Sequence, residues 1–290
     1  MIELVTGIDD FGTGTNLSQG WTFFCFEKKY LDTFNLKAKD ILDRSKLKSF
    51  HGKKFQRNKA SSYKEFLFLV KETLEQSHNS LICSTLLDLE WKKSLKQFSF
   101  DLVSNTFVNV GINDADFTLA SEKIANSLMT YHRIMNIHLP SDIVNIEIDA
   151  DSILRKISTT VSKVGPLQIP VQSLLYTFLN KYKEQFFSTA PNVSNINVMN
   201  DEQSFLIQAA DVFGNFSLSV ASKALGHTSN TINEKEQIFR EIFGEIPNIS
   251  VLLSGIELVG NQKEIRLKHE GSFTLTIKPI PELENQNINH

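Results

Sequence analysis

The first apolar run of the chain ends on acid. Residues 2–9 read as a strand, and Asp9 and Asp10 follow Leu4, Val5 and Ile8 directly before a stretch punctuated by Gly12, Gly14 and Gly20. A second strand follows at Trp21–Phe26, so the chain opens as strand, turn, strand with a carboxylate at one end of a sheet. Helices are expected over 30–48 and 63–76, then a buried strand over 80–87 that stops at Asp88. A helix is read near 93–105, another over 117–137, a strand over 143–148 and a helix over 171–187. A short strand at 196–199 and a helix over 204–225, stopped by Gly226, complete this part. Strand, helix and strand in that order need a crossover, which predicts an α/β chain with a mixed or parallel sheet. After Gly226 the character changes. Residues 227–248 are polar and charged, and 256–259, 265–267 and 273–277 read as a small β-meander. The expected division is therefore residues 1–226 as the main domain and 227–290 as a C-terminal, β-rich extension.

Two further elements end on acid as Asp9 does: Val144–Ile148 leads to Asp149, and Leu206–Ala210 leads to Asp211. Three carboxylates brought together raise one another's pKa unless a cation neutralises them. Mg²⁺ or Mn²⁺, hard ions that take oxygen ligands and phosphate substrates, would suit such a site. Each acid also has a plainer reading. Asp9 could cap a turn, Asp149 could cap a helix over 152–164 (a task for which Asp151 is better placed), and Gln208 with Asp211 could be a surface stripe. Asp10 points to the opposite face from Asp9 and reads as solvent-exposed or a cap.

The net charge of −3 argues against general adhesion to polyanions, but charge is uneven. Between Arg44 and Lys64 there are eight basic residues and no Asp or Glu, interleaved with Phe50, His51, Phe55 and Tyr63. Lys53, Lys54, Arg57 and Lys59 are the candidate phosphate contacts, with rings available for bases; the alternative is a solvated face. Cys25 and Cys83 lie in apolar runs without zinc-ligand spacing, so both read as buried thiols in a reducing, cytoplasmic setting. No basic leader precedes a hydrophobic region, and no run reaches the roughly 18 apolar residues of a membrane span.

Four short motifs occur in order: Ile8-Asp9-Asp10-Phe11-Gly12, Ser49-Phe50-His51-Gly52, Ile148-Asp149-Ala150 and Ile207-Gln208-Ala209-Ala210-Asp211. Together, over roughly residues 2–225, they resemble the domain-of-unknown-function 3800 family of the ribonuclease H-like superfamily. The resemblance implies a ribonuclease H-like mixed sheet flanked by helices. It also implies a metal-dependent nuclease, with Asp9, Asp149 and Asp211 holding Mg²⁺ or Mn²⁺ and His51 serving in catalysis. Asp10 and Phe11 depart from the Glu and Ser usual in that family. Ser49 stands where the family often has an acid, which leaves three alternatives: a slower enzyme, one that uses a different acid such as Glu65, or a non-catalytic relative. His51 could act as general acid or base, contact a phosphate, or be ordinary polar surface. Two functions follow: a hydrolase acting on DNA or RNA, or a non-catalytic module that keeps the fold to bind nucleic acid or a protein partner.

Overall fold

The computed structural model describes residues 2–11, 20–86, 143–149, 192–224, 226–244, 249–254, 256–259, 264–267 and 273–279. Its centre is a mixed sheet. Strand β1 (Glu3–Phe11) pairs antiparallel with β2 (Gly20–Glu27), and β2 antiparallel with β3 (Leu81–Leu86). On its other side β1 pairs parallel with β4 (Ile143–Asp149), which pairs parallel with β5 (Asn192–Met199). The order β5-β4-β1-β2-β3, with three antiparallel strands followed by two parallel ones, is the ribonuclease H-like arrangement expected from the motifs. Four more strands come late in the chain: β6 (Ile249–Ser254), β7 (Ile256–Val259), β8 (Glu264–Leu267) and β9 (Phe273–Pro279). Here the expected meander breaks up. β7 and β8 form a separate two-stranded ribbon, while β9 pairs antiparallel with β3 and carries β6 on its outer edge.

Helices α1 (Leu31–Ser45), α2 (Ala60–Gln76), α3 (Phe205–Ala224) and α4 (Asn230–Phe243) cover one face. α1 presents Phe34, Ala38 and Ile41 at helical spacing, and α2 presents Tyr63, Phe66, Leu67, Val70 and Leu74. These meet Val5, Phe24, Phe26 and Ile82 from the sheet in one buried cluster. The opposite face is as dry: Leu4, Ile8, Phe23, Cys25, Leu81 and Cys83 are all fully buried. Burial in this layer pushes the Cys25 thiol up to about 12, so it stays protonated. β2 is buried at every position, which explains why Trp21–Phe26 is apolar on both faces, Thr22 apart, rather than alternating.

The stretch after Gly226, read as polar and charged, contains a helix. Gly226 ends α3 with φ +84°, its N–H reaching Lys223 O at 3.0 Å while His227 N–H reaches Ser222 O at 3.0 Å, the paired bonds of a Schellman stop. Ser229 then caps α4 by accepting from Ile232 N–H at 3.1 Å. Ile238, Phe239, Ile242 and Phe243 bury one side of α4, with Phe213 of α3 5.3 Å from the Phe239 ring. The helices expected near 93–105, 117–137 and 171–187 lie outside the described residues.

Candidate active site

β1 and α3 lie close because two glycines permit it. A Cβ on Gly7 would stand 2.4 Å from the Leu206 carbonyl, and one on Gly214 would stand 2.7 Å from the Phe11 ring. Strand and helix therefore run in the same direction, Gly7 beside Leu206 and Phe11 beside Gly214. Four strand residues and eight helix residues cover similar lengths, about 13 and 12 Å. Asp9 lies midway between Gly7 and Phe11 on the same face, so it stands at the level of residues 210–211 of α3. It is 8% exposed, and its Oδ1 accepts the Asp10 N–H at 2.7 Å.

The neighbouring strand brings a second acid to this end of the sheet. Ile8 and Ile148 are the last register partners of β1 and β4, and Asp9 and Asp149 come next on each strand. Two residues earlier, Gly7 faces Leu206 and its partner Glu147 accepts from the Ser204 hydroxyl at the start of α3. The backbones of Asp9 and Asp149 thus sit side by side at the carboxyl ends of parallel strands, where open α/β sheets hold their ligands.

Asp211 is held by a different set of contacts, to the loop at residues 50–52 and to Asn215. Gln208, Asp211 and Asn215 form a polar stripe along α3 that holds residues 50–52. Gln208 Oε1 accepts the Phe50 N–H at 2.9 Å, and Asp211 Oδ2 accepts the Gly52 N–H at 2.9 Å. Asn215 donates to Asp211 Oδ1 at 2.6 Å. Behind the loop, Tyr63 donates to His51 O at 3.1 Å, and Lys235 Nζ donates to Gly52 O at 2.7 Å. Gln208 is 1% exposed, and its amide accepts from Phe50 and donates to Asp201 O at 2.8 Å, so it is an internal link and not part of a surface stripe.

His51 Nδ1 lies 2.8 Å from Asp201 Oδ2 and 3.6 Å from Asp211 Oδ2. The Asp211 carboxylate beside the ring raises its pKa, helped by the charge of Asp201 and opposed by burial and by nearby Lys54. Lys235 is the inverse case. Burial beneath the loop lowers its pKa to about 8, against the pull of Asp211, and its Nζ lies over the rings of Phe55 and Phe216 at 5.7 and 5.6 Å. Asp201, Asn215 and Lys235 were not visible in the sequence reading. Asn215 stands one helical turn beyond Asp211, and Asp201 sits in an Asn200–Gln203 capping box that sequence spacing could have exposed.

The basic window divides. Lys53 and Lys54 are exposed in the turn after Gly52. Arg57, by contrast, pairs with Glu234 at 2.5 Å, and Lys59 Nζ donates to Ser45 O at 2.8 Å, capping the end of α1. The rings expected to meet bases are core residues: Phe50 is fully buried and stacks on Phe66 at 4.3 Å, Tyr63 is 1% exposed, and Phe55 packs edge-on against Tyr63 and Phe216. Glu65 pairs with Arg44 at 3.0 Å on the exposed side of α2. Asp10, half-buried, lies on the face opposite Asp9.

Among the described residues no group of three or more His, Cys, Asp or Glu is set to hold a metal ion. The donors nonetheless suit a hard divalent cation. Asp9 brings a carboxylate to the end of β1, the backbone of Asp149 ends the neighbouring strand, and Asp211 keeps acceptor capacity, since a carboxylate offers about four lone-pair sites. Among the described residues no helix is long and apolar enough to cross a membrane.

No family model matches the chain, and no curated protein matches it, so the likeness to the domain-of-unknown-function 3800 family rests on the four motifs. Among solved structures, a mutant of Bst-RNase HIII matches with 13% identity and a TM-score of 0.33. The match covers 81% of this chain and 61% of that one, and at this distance it adds nothing to the strand order described above.

Proposed function

We propose that this chain is a divalent-metal-dependent nuclease of ribonuclease H-like type. The observation that supports it most is the side-by-side placement of Asp9 and Asp149 at the ends of β1 and β4, with the Asp211 segment of α3 alongside. In this reading Asp9, Asp149 and Asp211 hold Mg²⁺ or Mn²⁺, which when bound supplies activation of water and stabilisation of the leaving oxygen. Lys53 and Lys54 lead the nucleic-acid backbone toward that end of the sheet, and His51 lies beside Asp211 within reach of the Lys54 charge. The test is cleavage of single-stranded, duplex and hybrid oligonucleotides with each metal, using Asp9→Asn and Asp149→Asn as controls. Cleavage that needs the metal and vanishes in both variants supports the reading; cleavage that survives in either removes that residue from the site.

One observation favours the non-catalytic alternative. Asp211 spends both oxygens on the 50–52 loop and Asn215, as a structural clamp would. Calorimetric titration separates the two. A binding module would take up nucleic acid equally well with or without a chelator, and would show no heat on Mg²⁺ or Mn²⁺ addition.

A further inference from the structure

His51 and Asp201 come from distant segments, and one buried side chain sets both. Gln208 accepts the Phe50 N–H on Oε1 at 2.9 Å and donates from Nε2 to Asp201 O at 2.8 Å. One partner is a donor and the other an acceptor, so a single amide orientation serves both. Asp201 is further fixed by its turn, in which Asn200 and Gln203 cap each other's backbones. His51 is fixed by Tyr63 on its carbonyl and by the two bonds that hold Gly52. The side chains delivered by these two rigid backbones meet at 2.8 Å through Nδ1, and both are mostly buried, with 18% and 16% of their surface exposed. The second carboxylate, Asp211, also approaches Nδ1. Among the described residues, Nε2 has no ion-pair or hydrogen-bond partner.

We propose that Asp201 is a positioning residue that holds the proton of His51 on Nδ1 and leaves Nε2 as the nitrogen that meets the substrate. A carboxylate beside Nδ1 favours a proton there in the neutral ring and in the charged one alike, so the assignment does not depend on the charge of His51. A neutral imidazole left to itself favours the other tautomer. What Nε2 does rests on the nuclease reading above; where the proton sits does not.

Nitrogen NMR of the ring decides the second point without any activity. The His51 signals are identified by their loss in His51→Gln, and spectra are taken at a pH where the ring is neutral. The wild type should show the Nδ1–H form. Asp201→Ala leaves Nδ1 only Asp211 at 3.6 Å, beyond hydrogen-bond range, and should shift toward Nε2–H, whereas Asp201→Asn, whose amide oxygen still accepts, should keep Nδ1–H. In cleavage assays Asp201→Ala should lower kcat about 10–100-fold with KM little changed, and Asp201→Asn should restore most of it. A wild-type ring in the Nε2–H form overturns the proposal by itself, even where Asp201→Ala does not fold. An Asp201→Ala protein with an unchanged tautomer, or with a shifted tautomer and unchanged kcat, also overturns it. Should the wild type cleave nothing with either metal, the nuclease reading fails while the spectra still decide the proton's place.

Discussion

The backbone N–H of Gly52 meets Oδ2 of Asp211 at 2.9 Å across 159 residues of chain, joining the loop of the basic window to the helix of the last motif. Gly52 is needed there for space. A Cβ on it would lie 2.5 Å from Asn215 Cβ and 2.6 Å from Asp211 O, the second of which is helix backbone and cannot move alone. Gly52→Ala should therefore push the loop off α3 and destabilise the protein by about 1–3 kcal/mol. Urea unfolding measures the loss. A variant as stable as the parent would mean that the loop has slack that this contact denies.

Asp149→Asn should keep the fold and abolish metal-dependent cleavage, since it preserves shape and removes ligand charge. Without metal the variant should melt no lower than the parent, because acids gathered at one sheet end repel one another. Activity and thermal melting on the same preparation check both. Unchanged cleavage would exclude Asp149 as a ligand.

Nucleic-acid affinity should depend on Lys53 and Lys54 more than on Arg57 and Lys59. The first two are exposed in the turn beside His51, while Arg57 is held by Glu234 and Lys59 caps α1. Replacing Lys53 and Lys54 with Ala should flatten the slope of log affinity against log salt by about 0.7 per contact on single strands or 0.9 on duplex. Arg57→Ala should change the slope little, and Glu234→Gln, which releases Arg57, should steepen it. Anisotropy titrations over a range of salt read all three, and a large effect from Arg57→Ala would reverse the assignment.

Lys235 should leave a signature in the pH dependence of stability. Its folded pKa of about 8 lies below the ordinary 10.5, so between those values the unfolded chain holds a proton that the folded chain has released. Stability must then rise with pH across that window, by up to about 3 kcal/mol from this residue, and the penalty is fully present below it. Lys235→Met should lose this rise. Comparing denaturation midpoints of the two proteins below pH 8 and above 10.5 isolates the effect from other titrating groups, and parallel curves would show that Lys235 titrates normally.

The sequence disclosed the site's strands better than its support. The placement of Asp9 and Asp149 near strand ends is legible because each closes an apolar run, and that of Asp211 on a helix because it follows an apolar run with helical spacing. Asp201 and Asn215 carry local cues, a capping box and the next helical turn after Asp211, but Lys235 acts through the Gly52 carbonyl it holds, and nothing local marks a residue whose partner is so far away in the chain. The basic window misled for a related reason: Phe50 and Tyr63 look like rings among charges in sequence, but loop and helix geometry turns them inward. α4 was hidden by its charges, although Ile238, Phe239, Ile242 and Phe243 carry a helical period; reading that period before the polarity would have found it.

Cys83 of β3 sits opposite Thr276 of β9, so the last strand of the sheet to be synthesised closes an edge that the first third of the chain opens. During translation β3 must wait with unpaired N–H and C=O groups until nearly the whole chain has emerged. An open edge of that kind is a template for pairing with another chain. Pairing over so large a separation also slows folding, because loop closure precedes the contacts that reward it. Slow synthesis, truncation near residue 250 or crowding by sister chains would therefore act first on this edge, and aggregation during expression would begin at β3 rather than at the acids on the far side of β1.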